Sequence, residues 1–179
     1  MKSSFSRCRC GFAAAVLLVL CTFAAVGAVA TAATTEESIK SSELPKVVSD
    51  AVSKRFPGLQ FSSITKETES DGKIVFDIEL KQKGRKFETD VQADGTILEI
   101  EKEVATKDWP KALAGTVAAK YPHGKIQEVL EVNLVKDHKE TPDHLEVTIE
   151  TADKKAAELL TSLDGKTIVE EPSTTPATK

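Results

Sequence analysis

The chain has 179 residues, 40% of them apolar and 29% charged, with few aromatics and a net charge of −4. That composition belongs to a soluble globular protein with room for one ordinary domain or two small ones. The acidic balance argues against nucleic acid as a partner, and it deepens to −7 without Lys2, Arg7 and Arg9, which all lie at an N-terminus that holds no acid.

Residues 1–32 read as a signal peptide. Lys2, Arg7 and Arg9 supply the basic start, Gly11 to Val29 the apolar stretch, and Ala28, Ala30, Ala32 and Ala33 the small residues that cleavage needs. The alternative is an uncleaved anchor, since about 19 apolar residues just span a bilayer. Cys8, Cys10 and Cys21 all fall in this leader, so the mature chain is expected to have no disulfide and no cysteine chemistry. Leu20 stands where a lipid-attachment signal before Cys21 wants a small residue. The expected location is secreted or periplasmic.

Residues 33–43 are polar and aperiodic and read as a linker. A helix follows, with Leu44, Val48, Ala51 and Val52 on one stripe, Pro45 at its first turn and Pro57-Gly58 after its end. The period then becomes alternating. Ile74, Phe76, Ile78 and Leu80 point one way, followed by Phe87, Thr89, Val91 and Ala93, then Leu98 and Ile100 after an Asp94-Gly95 turn. A weaker strand is expected around Ser62 to Glu69.

The pattern returns. Trp109, Leu113, Val117 and Tyr121 match Leu44, Val48, Val52 and Phe56. Ile126, Leu130, Val132 and Leu134 share one parity, and a long turn from Lys136 to Asp143 leads to Leu145, Val147 and Ile149. Leu159, Thr161 and Leu163 precede Asp164-Gly165, the counterpart of Asp94-Gly95. The expected fold class is α+β: two tandem units, each one helix packed on a four-stranded antiparallel meander sheet, at 44–104 and 105–171, with a disordered tail at 172–179.

Catalytic residues are not expected. No Gly-x-Ser-x-Gly elbow or phosphate-cradling glycine loop occurs. His138 and His144, beside Asp137 and Asp143, could meet across a hairpin around zinc, but they lack a metal-site spacing, and a solvated loop explains them more simply. Trp109, Tyr121, Phe56 and Phe76 fall on inward positions and read as core rather than as anchors for a partner. No metal or cofactor is assigned. The outward face of the first unit carries Asp77, Glu79, Glu88, Asp90, Glu99 and Glu101 against Lys81 and Lys86. These six carboxylates are the candidate partner-binding residues, with solvating surface charge as the plainer reading.

Three stretches, Lys54-Arg55-Phe56-Pro57-Gly58, the Ile74 to Leu80 strand and Val91 to Glu99 around Asp94-Gly95, resemble the PepSY-like, or β-lactamase-inhibitor-like, domain. Lys120-Tyr121-Pro122, Leu145 to Ile149 and Leu163 to Ile168 repeat them. The resemblance covers nearly all of the mature chain and implies two tandem copies in an exported bacterial protein without enzymatic activity. Related domains inhibit or regulate proteases, and the β-lactamase inhibitory protein grips its enzyme with tandem helix-plus-sheet units. This chain departs from that inhibitor in lacking mature cysteines and in an acidic, not aromatic, sheet face. The function expected is therefore an exported non-catalytic binding module, inhibitor-like or protease-regulating, that contacts a protein or peptide through open sheet faces. An acidic ion-binding (calcium or zinc) or envelope-structural protein is the alternative.

Overall fold

Helices form at both amphipathic runs: α1 spans Lys46–Arg55 and α2 spans Leu113–Lys120. The structure is a computed structural model that describes residues 35–82 and 84–169; the leader and tail expected from the sequence lie outside them. Pro45 precedes α1 in extended conformation, where its missing N–H costs nothing, and Lys54 and Arg55 sit in the last turn, facing the negative end of the helix dipole. Phe56 N–H closes α1 on the Val52 carbonyl at 2.8 Å, and Tyr121 N–H closes α2 on Val117 at the same distance. Each helix buries a narrow stripe, Val48 and Val52 in one and Leu113 and Val117 in the other.

The strands are β1 (Thr35–Ser38), β2 (Gln60–Thr68), β3 (Ile74–Gln82), β4 (Arg85–Gln92), β5 (Ile97–Glu103), β6 (Lys125–Lys136), β7 (Lys139–Glu150), β8 (Ala156–Thr161) and β9 (Ile168–Val169). They form one nine-stranded antiparallel sheet in sequence order. The expected pair of helix-plus-four-strand units is thereby overturned: among the described residues the architecture is mostly β, a single sheet with two α-helices. The joining step is the pairing of β5 with β6, from Glu99 opposite Leu134 to Glu103 opposite Leu130. Separate units would have left those two strands as open edges, with a row of unsatisfied N–H and C=O groups on each. Alternation in a sequence reports which face a residue takes and says nothing about which strand lies next to it. The stretch read as a linker also contributes β1, which extends the sheet by pairing Ser38 with Thr65 and Thr35 with Thr68.

Both helices cover the same face of the sheet, over two apolar cores. The first joins Val48, Val52 and Phe56 to Ile64, Phe76, Ile78, Leu80, Val91 and Ile100. Leu113 and Val117 meet Val129, Leu145, Val147, Ile149 and Leu159 in the second. Strand β5 runs from one core to the other, placing Ile97 and Ile100 in the first and Val104, just past its end, in the second; β6 runs back, from Ile126 and Val129 to Val135. Between the cores lies a polar seam. Asn133 is buried there, its Nδ2 donating to the Glu131 carbonyl at 3.1 Å and to Glu131 Oε1 at 3.2 Å, and Glu140 accepts ion pairs from both Arg55 and Lys102.

β-Bulges shift several residues from their expected faces, because one extra residue inverts the parity of everything beyond it. Register breaks between Ile126 and Glu128, so Ile126 and Val129 face α2 while Leu130, Val132 and Leu134 turn to the face without helices. The first half breaks at the matching place, between Phe61 and Ser63. A break after Asp90 pairs Val91 with Ile97, so Ile97, not Leu98, joins Ile100 in the core. The long turn expected at Lys136 to Asp143 is a two-residue hairpin. Asp137 and His138 occupy it with φ of 51° and 62°, the left-handed conformation such turns require, and Pro142 lies within β7 at a further bulge.

Candidate functional site

The face of the sheet away from the helices is built by the outward residues of β3 to β7. Register places Asp77 opposite Asp90 and Asp90 opposite Glu99; in the neighbouring row Glu79 faces Glu88 and Glu88 faces Glu101. The structure thus brings all six sequence-predicted carboxylates into one block, two rows across three adjacent strands. Like charges directly opposite in a sheet repel, so this arrangement opposes folding and concentrates negative potential.

Lys86 reaches into the block from β4. Its Nζ lies 2.5 Å from Glu88 Oε1, 2.9 Å from Glu128 Oε2 and 3.9 Å from Glu79 Oε1, and its backbone N–H donates to Glu103 Oε2 at 3.0 Å. The block is less open than alternation suggested. Glu88, Asp90 and Glu101 are 2%, 1% and 2% exposed, while Asp77, Glu79 and Glu99 are half-buried. Solvation of an exposed sheet is therefore not the role of the inner three.

Beside the carboxylates runs an apolar strip that periodicity misplaced. Glu99 faces Leu134, Glu101 faces Val132 and Glu103 faces Leu130. Leu130 and Val132 are buried, as is Val75 at the end of β3, yet none belongs to either helix-side core. Leu134 is 44% exposed. No described helix or strand lies over this face. The sequence signal that would have placed the strip here is the bulge, and a bulge has no reliable residue signature.

The histidines do not converge. His138 sits at the hairpin turn, whereas His144 lies opposite Val132 with its Nδ1 2.9 Å from Asp143 Oδ2. Among the described residues no group of three or more His, Cys, Asp or Glu side chains is placed to hold a metal ion, and no helix is long and apolar enough to cross a membrane. Phe56 and Phe76 are core residues, and Trp109 and Tyr121 pack against the second core, where Trp109 Nε1–H donates to the Val104 carbonyl at 2.9 Å.

The acids of the Asp-Gly turns are committed to those turns. Asp94 Oδ1 accepts the Thr96 N–H at 2.8 Å, and Asp164 Oδ1 accepts the Lys166 N–H at 3.1 Å and the Ser162 hydroxyl at 2.7 Å. Hydrogen bonding to the charged form lowers both pKa values. In Asp94 the Thr96 N–H is the main cause; in Asp164 the Ser162 hydroxyl leads, with help from Lys166, and brings the value to about 2.

No protein-family model matches the chain, and neither does any curated protein. Solved structures do resemble it. One is a DUF2874 family protein from Bacteroides uniformis, with a TM-score of 0.51 and 17% identity over 70% of this chain and 86% of that one. Another, from Bacteroides eggerthii and described as periplasmic, has a TM-score of 0.50 and 15% identity over the same shares. A weaker match is a BLIP-like protein from Bacteroides fragilis, with a TM-score of 0.47 and 19% identity over 75% of this chain and 89% of that one. At these identities the first two likenesses concern the fold alone.

Proposed function

We propose that this chain is an exported, non-catalytic binding module of PepSY-like character, acting by contact with a cationic protein or peptide through the sheet face away from α1 and α2. The observation that carries the reading is the placement of an exposed apolar side chain, Leu134, directly beside the carboxylates of β3 to β5. Such a face matches a segment that carries basic side chains at one end and apolar side chains at the other, since the carboxylates lie on β3 to β5 and Leu134 on the neighbouring β6. Leu134 supplies apolar contact area, and the charges supply orientation and rate of encounter. Its accessible contacts are Asp77, Glu79, Glu99 and Leu134. The basic start, apolar stretch and small residues of the N-terminal sequence and the periplasmic description of a protein of similar fold support an envelope location. Regulation of a protease in that compartment is the form of activity the family resemblance favours.

The reading is tested by titrating the purified protein with a peptide whose lysines precede its leucines and following fluorescence anisotropy at low and high salt. Saturable binding that weakens with salt, and that falls about tenfold or more in Glu79→Lys and Glu99→Lys, is the expected result. Binding indifferent to both substitutions would place the contact elsewhere.

A further inference from the structure

On the opposite side of the sheet, between α1 and the β6–β7 hairpin, a cleft of about 590 Å³ opens. It is of the size that holds a small ligand, about 300–1,000 Å³. Three segments remote in sequence converge on it. Its apolar surfaces come from Ala51 of α1, Ile97 at the start of β5 and Val135 of β6, and the last two pack against the first core from beneath. One wall is the C-terminal half of α1, bearing Lys54 and Arg55. The other is the hairpin tip, bearing Asp137 and His138, and the Asp94-Gly95 turn closes the end.

The position of each wall is fixed. Gly95, at φ +89°, lies so close under α1 that an added Cβ would stand 3.0 Å from Val47 Cγ2 and 3.1 Å from its carbonyl oxygen. Glu140 at the base of the hairpin takes ion pairs from Arg55 of α1 and Lys102 of β5. The charges that remain are divided between the walls. Asp94 is committed to Thr96 N–H and Arg55 to Glu140, whereas Lys54 and Asp137 form no ion pair among the described residues. Asp137 and His138 also hold left-handed backbone at a turn where glycine would be the easier residue, so the hairpin presents two functional side chains at the mouth at some conformational cost.

An uncommitted cation on one wall, an uncommitted carboxylate on the other and an apolar floor match a dipolar ligand with an apolar side chain. We propose that this cleft binds a short peptide with free termini. Lys54 holds its carboxylate, Asp137 its ammonium group, and Ala51, Ile97 and Val135 receive its side chain. The site is separate from the sheet face away from α1 and α2, so either assignment can fail without the other.

Isothermal titration of the full-length protein with the dipeptide Ala-Leu, its N-acetyl form and its C-terminal amide tests the proposal. Saturable binding of Ala-Leu is expected, weakened about tenfold or more by blocking either terminus. Lys54→Asp should abolish it, and Lys54→Asp combined with Asp137→Lys should restore it by exchanging the ligand's two ends. Both positions are exposed, so both variants should fold, with Lys54→Asp lowering the melting temperature by only about 2–4 °C as the charge at the C-terminus of α1 reverses. Absence of saturable heat with Ala-Leu, equal affinity for the blocked forms, or failure of the charge exchange to restore binding would overturn it.

Discussion

The two halves of the sheet are built alike and end differently. Each has a short helix closed by an aromatic residue, a bulge at the corresponding point of the following strand, and an Asp-Gly turn tucked against the start of its helix. The first half leads on through β5 into β6, whereas the last described strand of the second is β9, which pairs Leu160 with Val169 and Thr161 with Ile168. In the middle each half lends to the other: Val135 completes the first core and Val104 packs on the second. Repetition of a helix-and-strand pattern thus does not entail independence. The shared β5–β6 pairing makes the halves one body, and their apolar cores stay distinct because a polar seam runs between them.

The largest expected effect tests that unity. Ile78→Ala in the first core and Ile149→Ala in the second should each cost about 2–5 kcal/mol, since both side chains are fully buried. The single tryptophan, Trp109, reports from the second half. If the sheet unfolds as one unit, its fluorescence midpoint moves as much for Ile78→Ala as for Ile149→Ala; an unmoved Trp109 transition in Ile78→Ala would show halves that melt separately.

A second contrast concerns the turns. Gly72, Gly95 and Gly165 all have positive φ, but an added Cβ meets nothing at Gly72, whereas at Gly165 it would lie 3.0 Å from the Cβ atoms of Leu113 and Pro110. Alanine should cost about 1 kcal/mol at Gly72 and about 2–3 kcal/mol at Gly95 and Gly165 in denaturant unfolding. Equal costs at all three would mean that the helices do not press on their turns.

Glu140→Gln removes the common partner of Arg55 and Lys102 at the seam. A loss of about 1 kcal/mol is expected, shrinking at high salt as suits a partly exposed network; a loss that salt leaves unchanged would point to packing instead of charge.

The smallest effect is a titration. The Asp164 carboxyl has a folded pKa of about 2 against an ordinary 3.8, so its contribution to stability is fully present above the ordinary value and disappears as pH falls through the lower one. Carboxyl NMR should find that low midpoint, and Ser162→Ala should raise it toward 3.8 because the Ser162 hydroxyl is its leading cause. Asp94, whose pKa is lowered first by the Thr96 backbone N–H and only then by a hydroxyl, that of Thr96, serves as the comparison.

Much of this was legible in the residues. Proline, aromatic and glycine positions marked both helices, and alternation correctly set Phe76, Ile78 and Leu80 inward and Asp77 and Glu79 outward. Local pattern could not reveal that Glu99 to Glu103 would pair with Leu130 to Leu134, because strand neighbours are chosen by long-range packing. Nor could it reveal that one extra residue after Ile126 would carry Leu130 and Val132 to the carboxylate face, since bulges need no particular side chain. The cleft was equally hidden: Ala51, Ile97 and Val135 are ordinary apolar residues until the hairpin brings them together.

The most direct test of the sheet face away from α1 and α2 as the contact surface is side-chain NMR of the protein during titration with the same lysine-leucine peptide. Shifts that saturate together at the Glu79 and Glu99 carboxyls and the Leu134 methyls, and that vanish at high salt, are the predicted result. Shifts confined to residues of α1 and α2, or none that saturate, would contradict it.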